Sequence, residues 1–63
     1  MTEPILQYFT HEHLPPYLGE VSRPFCELAR VIVRDLPPCA ERSVALRKLL
    51  EAKDAAVRAK VFK

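Results

Sequence analysis

Apolar residues recur at spacings of three and four through the first half of the chain: Leu18, Val21, Phe25, Leu28, Ile32 and Leu36. On a helix they form one stripe, so the spacing predicts a long helix over about residues 16–36. Pro24 falls inside it. Either the helix begins there with Ser22 as its cap, or it runs through with a kink and one lost hydrogen bond. The stripe keeps its phase across Pro24, which favours the kinked, continuous helix. Residues 39–61 hold no Pro or Gly and are rich in Ala, Leu, Arg, Lys and Glu, which predicts a second long helix. Leu46, Leu49, Leu50 and Val57 share one face of it, and Ala45, Ala52, Ala56 and Ala59 an adjacent one. Arg47, Glu51, Asp54 and Arg58 line a third, where Arg47–Glu51 and Asp54–Arg58 are spaced to pair.

Leu36-Pro37-Pro38-Cys39 connects the two helices. Successive prolines end one helix and preset the start of the next, and so short a link makes the two antiparallel neighbours, an αα-hairpin. Residues 1–15 form an arm. Thr2 is placed to cap a brief helical turn through Ile5, Leu6 and Phe9, and His11–Pro16 is expected to be extended, because a residue before proline avoids the helical region. No segment alternates like a strand. The expectation is one all-α domain over residues 1–63.

The length, 63 residues, changes this picture by making a lone core marginal. A chain this small buries about 60% of the surface its unfolded form exposes. Disulfides, a metal or association usually make up the deficit. With 49% hydrophobic residues the composition is globular, and the two cysteines, Cys26 and Cys39, are expected as free thiols in a cytoplasmic protein. Association remains, and the alanine face admits the close approach of another helix. A helical homo-oligomer is therefore expected. No apolar run approaches the roughly 20 residues that span a bilayer, so no membrane partner is expected.

Ten Lys and Arg against eight Asp and Glu give a net charge of +2. That is too little for a polymeric nucleic acid, while a small anion fits more easily. Zinc ligation by His11, His13, Cys26 and Cys39 would lack the usual paired spacings. A nucleophilic Cys26 or Cys39 would lack a positioned base, an oxyanion hole and a cleft. Glu41, Glu51 and Asp54 read as a solvated helix face. Neither a metal, a cofactor nor an enzymatic activity is expected. The remaining cluster is Tyr8, Phe9, His11, His13 and Tyr17, with Arg23 soon after: planar rings that stack on bases beside a cation that pairs with phosphate. Its bland alternative is that Phe9 and Tyr17 pin the arm to the hairpin. A second basic group, Arg42, Arg47 and Lys48, opens the second helix, where free N–H groups also favour anions.

Two stretches together resemble a known family. They are the arm Tyr8-Phe9-Thr10-His11-Glu12-His13-Leu14-Pro15 and the hairpin running from Phe25-Cys26-Glu27-Leu28-Ala29 through Glu41-Arg42-Ser43-Val44-Ala45-Leu46 to Leu50-Glu51-Ala52-Lys53-Asp54-Ala55-Ala56-Val57-Arg58-Ala59. They resemble the helical-hairpin domain shared by phage anti-CBASS and anti-Thoeris nucleotide sponges, and the compact anti-CBASS sponge most. The resemblance covers roughly residues 8–60. It implies a homo-oligomer, typically a hexamer, in the cytoplasm of the infected bacterial host, which sequesters cyclic oligonucleotide messengers without cleaving them. It further implies a cyclic dinucleotide pocket between protomers from Phe9, His11 and Arg23, with Ser22 as a phosphate contact. Arg42, Ser43 and Arg47 would serve a cyclic trinucleotide such as some members hold. The chain departs from the family at His11, where members often carry tyrosine. Imidazole still stacks and donates a hydrogen bond, over a smaller area.

Overall fold

The computed structural model describes residues 4–11 and 13–62. Every regular element among the described residues is helical. A short 3₁₀ helix, Pro4–Phe9, forms the arm; α1 spans Pro16–Asp35 and α2 spans Ala40–Phe62. The two α-helices pack on each other as a hairpin, with the arm against both. The 36 Å long axis is about the length of α2 at 1.5 Å per residue, and the other extents, 18 and 16 Å, are two helices thick. Residues expected at 16–36 and 39–61 thus occupy helices one residue shorter and one residue shifted, within ordinary helix-end fraying. Thr2, the expected cap of the arm, lies outside the described residues.

Pro24 sits inside a continuous α1. It has no N–H for the Glu20 carbonyl, and both residues are exposed, so water takes the unmet acceptor at little cost. The helix starts at Pro16 behind Pro15, whose ψ of 151° is extended, and the Pro15 carbonyl receives the Leu18 and Gly19 N–H groups at 3.0 and 2.9 Å. The expected extended path over His11–Pro16 is confined to that last step. Leu14 N–H donates to the His11 carbonyl at 3.1 Å, closing a turn that folds the arm back. The Thr10 hydroxyl donates to the Gln7 carbonyl at 3.1 Å and ends the 3₁₀ helix.

The buried line of α1 corrects the expected one. Gly19, Ser22, Cys26 and Ala29 face inward, while Leu28 and Leu36 remain 48% and 46% exposed. The period is the same, but the phase is rotated by one residue. With a single partner helix and a short arm to pack on, the closest approach falls where side chains are smallest. The flanking Phe25, Ile32 and Val33 then cover the sides of a core made by Phe9, Cys26, Ala29 and Leu46. The α2 leucine face is used as expected, with Leu46 fully buried and Leu49 and Leu50 against the core. Of the alanine face, Ala45 and Ala56 are half-buried and Ala52 and Ala59 exposed. The expected Arg47–Glu51 and Asp54–Arg58 pairs are not made: Glu51 lies 3.7 Å from Lys48, and Asp54 3.1 Å from Lys53.

Arg42 fastens the connector. Its Nη1 donates to the carbonyls of Val33 (3.2 Å) and Leu36 (3.0 Å), and the residue is almost wholly buried. The Val33 carbonyl would ordinarily receive the N–H four residues on, but that residue is Pro37, which has none. The guanidinium supplies the missing donor, and its charge sits at the negative end of the α1 dipole. Leu36 N–H still closes the helix onto the Ile32 carbonyl at 3.0 Å.

Candidate functional site

Two regions bear on ligand binding. The first is where the arm meets the start of α1. Phe9 is fully buried and is the largest ring in the core. His11 is half-buried, and its carbonyl lies against Gly19, where an added Cβ would sit 3.5 Å away. Ser22 is fully buried on the next turn, its hydroxyl without a hydrogen-bond partner among the described residues, and Arg23 beside it is exposed. The fold therefore brings together the arm and α1 segments that the resemblance joins in one pocket. In a single chain only His11 and Arg23 of the four are open to solvent, and Phe9 and Ser22 belong to the packing.

Of the second set, Ser43 and Arg47 are exposed on the first two turns of α2, whereas Arg42 is turned inward onto the end of α1. The Ser43 N–H is taken by the Cys39 carbonyl at 3.1 Å. Cys39 is an exposed free thiol at this helix start, and Cys26 is a buried one. Among the described residues no group of three His, Cys, Asp or Glu side chains is placed to hold a metal ion.

No protein-family model, curated protein or solved structure matches the chain. Its function therefore rests on its own chemistry.

The second region was not legible beforehand. A cleft of about 450 Å³ opens between the arm and the distal half of α2. Leu14, Leu50 and Val57 line its apolar part; Tyr8, His13, Lys53, Asp54 and Arg58 line its polar part. The Lys53 side chain is only 12% exposed and its ammonium lies 3.1 Å from the Asp54 carboxylate. In the sequence, Leu50, Lys53, Asp54, Val57 and Arg58 mark one face of a helix, but only the back-folding turn at His11–Leu14 roofs that face with the arm. At the surface, the Arg34 guanidinium grips Asp35 at 2.7 and 3.0 Å, and that hydrogen bond holds the Asp35 carboxyl below its ordinary range. None of the described helices is long and apolar enough to cross a membrane.

Proposed function

We propose that the chain is a phage immune-evasion protein that assembles with copies of itself and sequesters cyclic oligonucleotide second messengers without cleaving them, blocking CBASS signalling in the host cytoplasm. The observation that supports this best is a juxtaposition at one end of the hairpin. The arm turn rests on Gly19 and exposed Arg23 follows one turn later, while Tyr17 and Leu28 leave apolar surface uncovered on the opposite side of α1. The arm and the cation are parts of one pocket, and the uncovered stripe is surface for a second protomer. In this reading His11 and Arg23 meet the base and phosphate of a cyclic dinucleotide such as cyclic GMP-AMP. Ser22 and Phe9 back them, and Ser43 and Arg47, with Arg42 behind, form the weaker trinucleotide site. Sequestration asks for preorganised stacking and charge-assisted hydrogen bonds, not for complementarity to a transition state.

Calorimetry against a panel of cyclic di- and trinucleotides tests the reading. Binding at micromolar or tighter, with intact ligand recovered after the protein is denatured, is the expected result, and Arg23→Ala should weaken dinucleotide binding while the helices persist. Products in place of intact ligand would make the protein an enzyme. No heat with any member would favour a second reading, a helical hairpin that binds another protein. That reading has an observation of its own: Phe9 packs inward, as an arm serving only as a clip requires.

A further inference from the structure

The cleft between the arm and the distal half of α2 shares no residue with the set Phe9, His11, Ser22 and Arg23. Its volume, about 450 Å³, lies within the roughly 300–1,000 Å³ typical of small-molecule sites. Its chemistry is also of that kind. Leu14, Leu50 and Val57 give an apolar wall, and the Tyr8 ring, 58% exposed, stands at the opening. Among the described residues of the lining, two cations, Lys53 and Arg58, accompany one carboxylate, Asp54, a formal charge of +2 − 1 = +1.

The placement of Lys53 is the feature that needs an explanation. Long cationic side chains on a helix surface normally carry their charge out into water, and covering one costs solvation. Here the side chain is largely covered, and its only described ion pair is with its sequence neighbour Asp54, whose own side chain is half exposed to water. The adjacent Arg58 has no ion pair among the described residues. A cation held under cover, a second one beside it and an open ring above an apolar wall suit a ligand with a compact anionic group joined to one flat ring.

We propose that this cleft binds a small planar anion, a single phosphate or carboxylate carried by one aromatic ring or base, as in a nucleoside monophosphate. The anion lies between Lys53 and Arg58, displacing Asp54 toward solvent. The ring stacks on Tyr8 over Leu50 and Val57. The site is a second one, independent of the arm–α1 pocket, and it stands whether or not that pocket takes cyclic dinucleotides.

The test uses the full chain and adenosine 5′-monophosphate, with adenosine and inorganic phosphate as the two half-ligands, followed by amide chemical shifts and calorimetry. The expected result is binding by the monophosphate in the range of about 10 μM to 1 mM, at least tenfold tighter than either half. The shifts should centre on Tyr8, Lys53 and Arg58, and affinity should fall as salt is raised. Arg58→Gln, at an exposed position, should weaken binding about tenfold, the equivalent of one charge-assisted hydrogen bond. Lys53→Met, which keeps the aliphatic stem, should weaken it further, and Tyr8→Ala should cost more than Tyr8→Phe. Arg23→Ala and saturating cyclic GMP-AMP should leave it unchanged. No binding at 5 mM, a value about fivefold above that range, would overturn the proposal. So would binding that ignores Arg58→Gln and Lys53→Met, or that cyclic GMP-AMP competes away.

Discussion

Replacing Arg42 by methionine removes the guanidinium while keeping most of the aliphatic stem that fills the hairpin's closed end. Among its described contacts, the hydrogen bonds to the Val33 and Leu36 carbonyls go. They are unequal. Leu36 is exposed, so water rehydrates its carbonyl. Val33 is half-buried and packs against the core, and Pro37 cannot replace the lost donor, so its carbonyl is left with a desolvation cost of about 1–3 kcal/mol. Loss of a cation at the α1 C-terminus adds about 0.5 kcal/mol. The variant no longer buries a cation on folding, and the desolvation cost so avoided offsets part of this. A net loss of about 2 kcal/mol results, which for a domain of this size lowers Tm by about 8–16 °C. Thermal unfolding followed by helical ellipticity checks it, at several protein concentrations because assembly shifts apparent stability. Arg47→Met, at an exposed position two turns into α2, is the control and should change stability by no more than about 0.5 kcal/mol. If Arg42→Met were as stable as the parent, the cap would contribute nothing. If it also lost trinucleotide binding at unchanged stability, Arg42 would belong to a ligand and not to the hairpin.

Gly19→Ala should stabilise the protein by about 0.5–1 kcal/mol in urea unfolding, because a Cβ there makes only ordinary contact with the His11 carbonyl at 3.5 Å while helix propensity improves; a loss of stability would mean that the arm sits closer than it does. Leu28→Glu places a charge on the uncovered α1 stripe without touching the core. Sedimentation should show it shifting any oligomer toward monomer, and an unchanged oligomer would exclude that stripe from the interface. Reaction with dithionitrobenzoate should be fast at Cys39 and should reach Cys26 only on unfolding, so two fast thiols per chain would contradict the burial of Cys26. The Arg34 hydrogen bond depresses the Asp35 carboxyl, so its stabilising effect is present above the ordinary carboxylate range and is lost as pH falls through the lower folded value. Asp35→Asn should flatten the acid limb of the stability profile slightly, and an unaltered limb would show the pair to be inert.

How much of this was legible in advance depended on range. Periodicity and prolines act over a few residues, and they placed both helices, the continuous passage through Pro24 and the connector. The phase of α1 was not legible, because apolar size points to Leu28 and Leu36, whereas the packing line follows the small side chains Gly19, Ser22, Cys26 and Ala29. Which stripe a helix buries depends on how many partners it has. With one partner the helices close on the small residues and leave the large ones for something else. Arg42 was legible as a cation but not as a cap, since its partners lie nine and six residues away across the turn. The cleft failed for the same reason: α2 supplies a face of mixed apolar and charged side chains, and only the turn at His11–Leu14, a tertiary event, brings Tyr8 and His13 over it.

Phe9 decides how the arm can serve a ligand at all. Its ring is fully buried against Cys26, Ala29 and Leu46, and burial of a phenylalanine side chain contributes about 1.5–3 kcal/mol. A mechanism in which Phe9 swings out to stack on a base would forfeit that contribution in every binding event. The competent state would be populated at about 1% to 10%, and the apparent affinity would fall tenfold to a hundredfold. A sponge works by tight binding, so this is a heavy penalty unless a neighbouring protomer fills the vacated space. The arrangement that avoids it keeps Phe9 as the anchor and lets the other side of the arm meet the ligand. Half-buried His11, two residues on from the anchor, is then the ring in position. The two roles assigned to the arm, pinning and recognition, are therefore divided between neighbouring residues. The pinned ring preorganises the recognising one, which is where a small rigid binder gains its affinity.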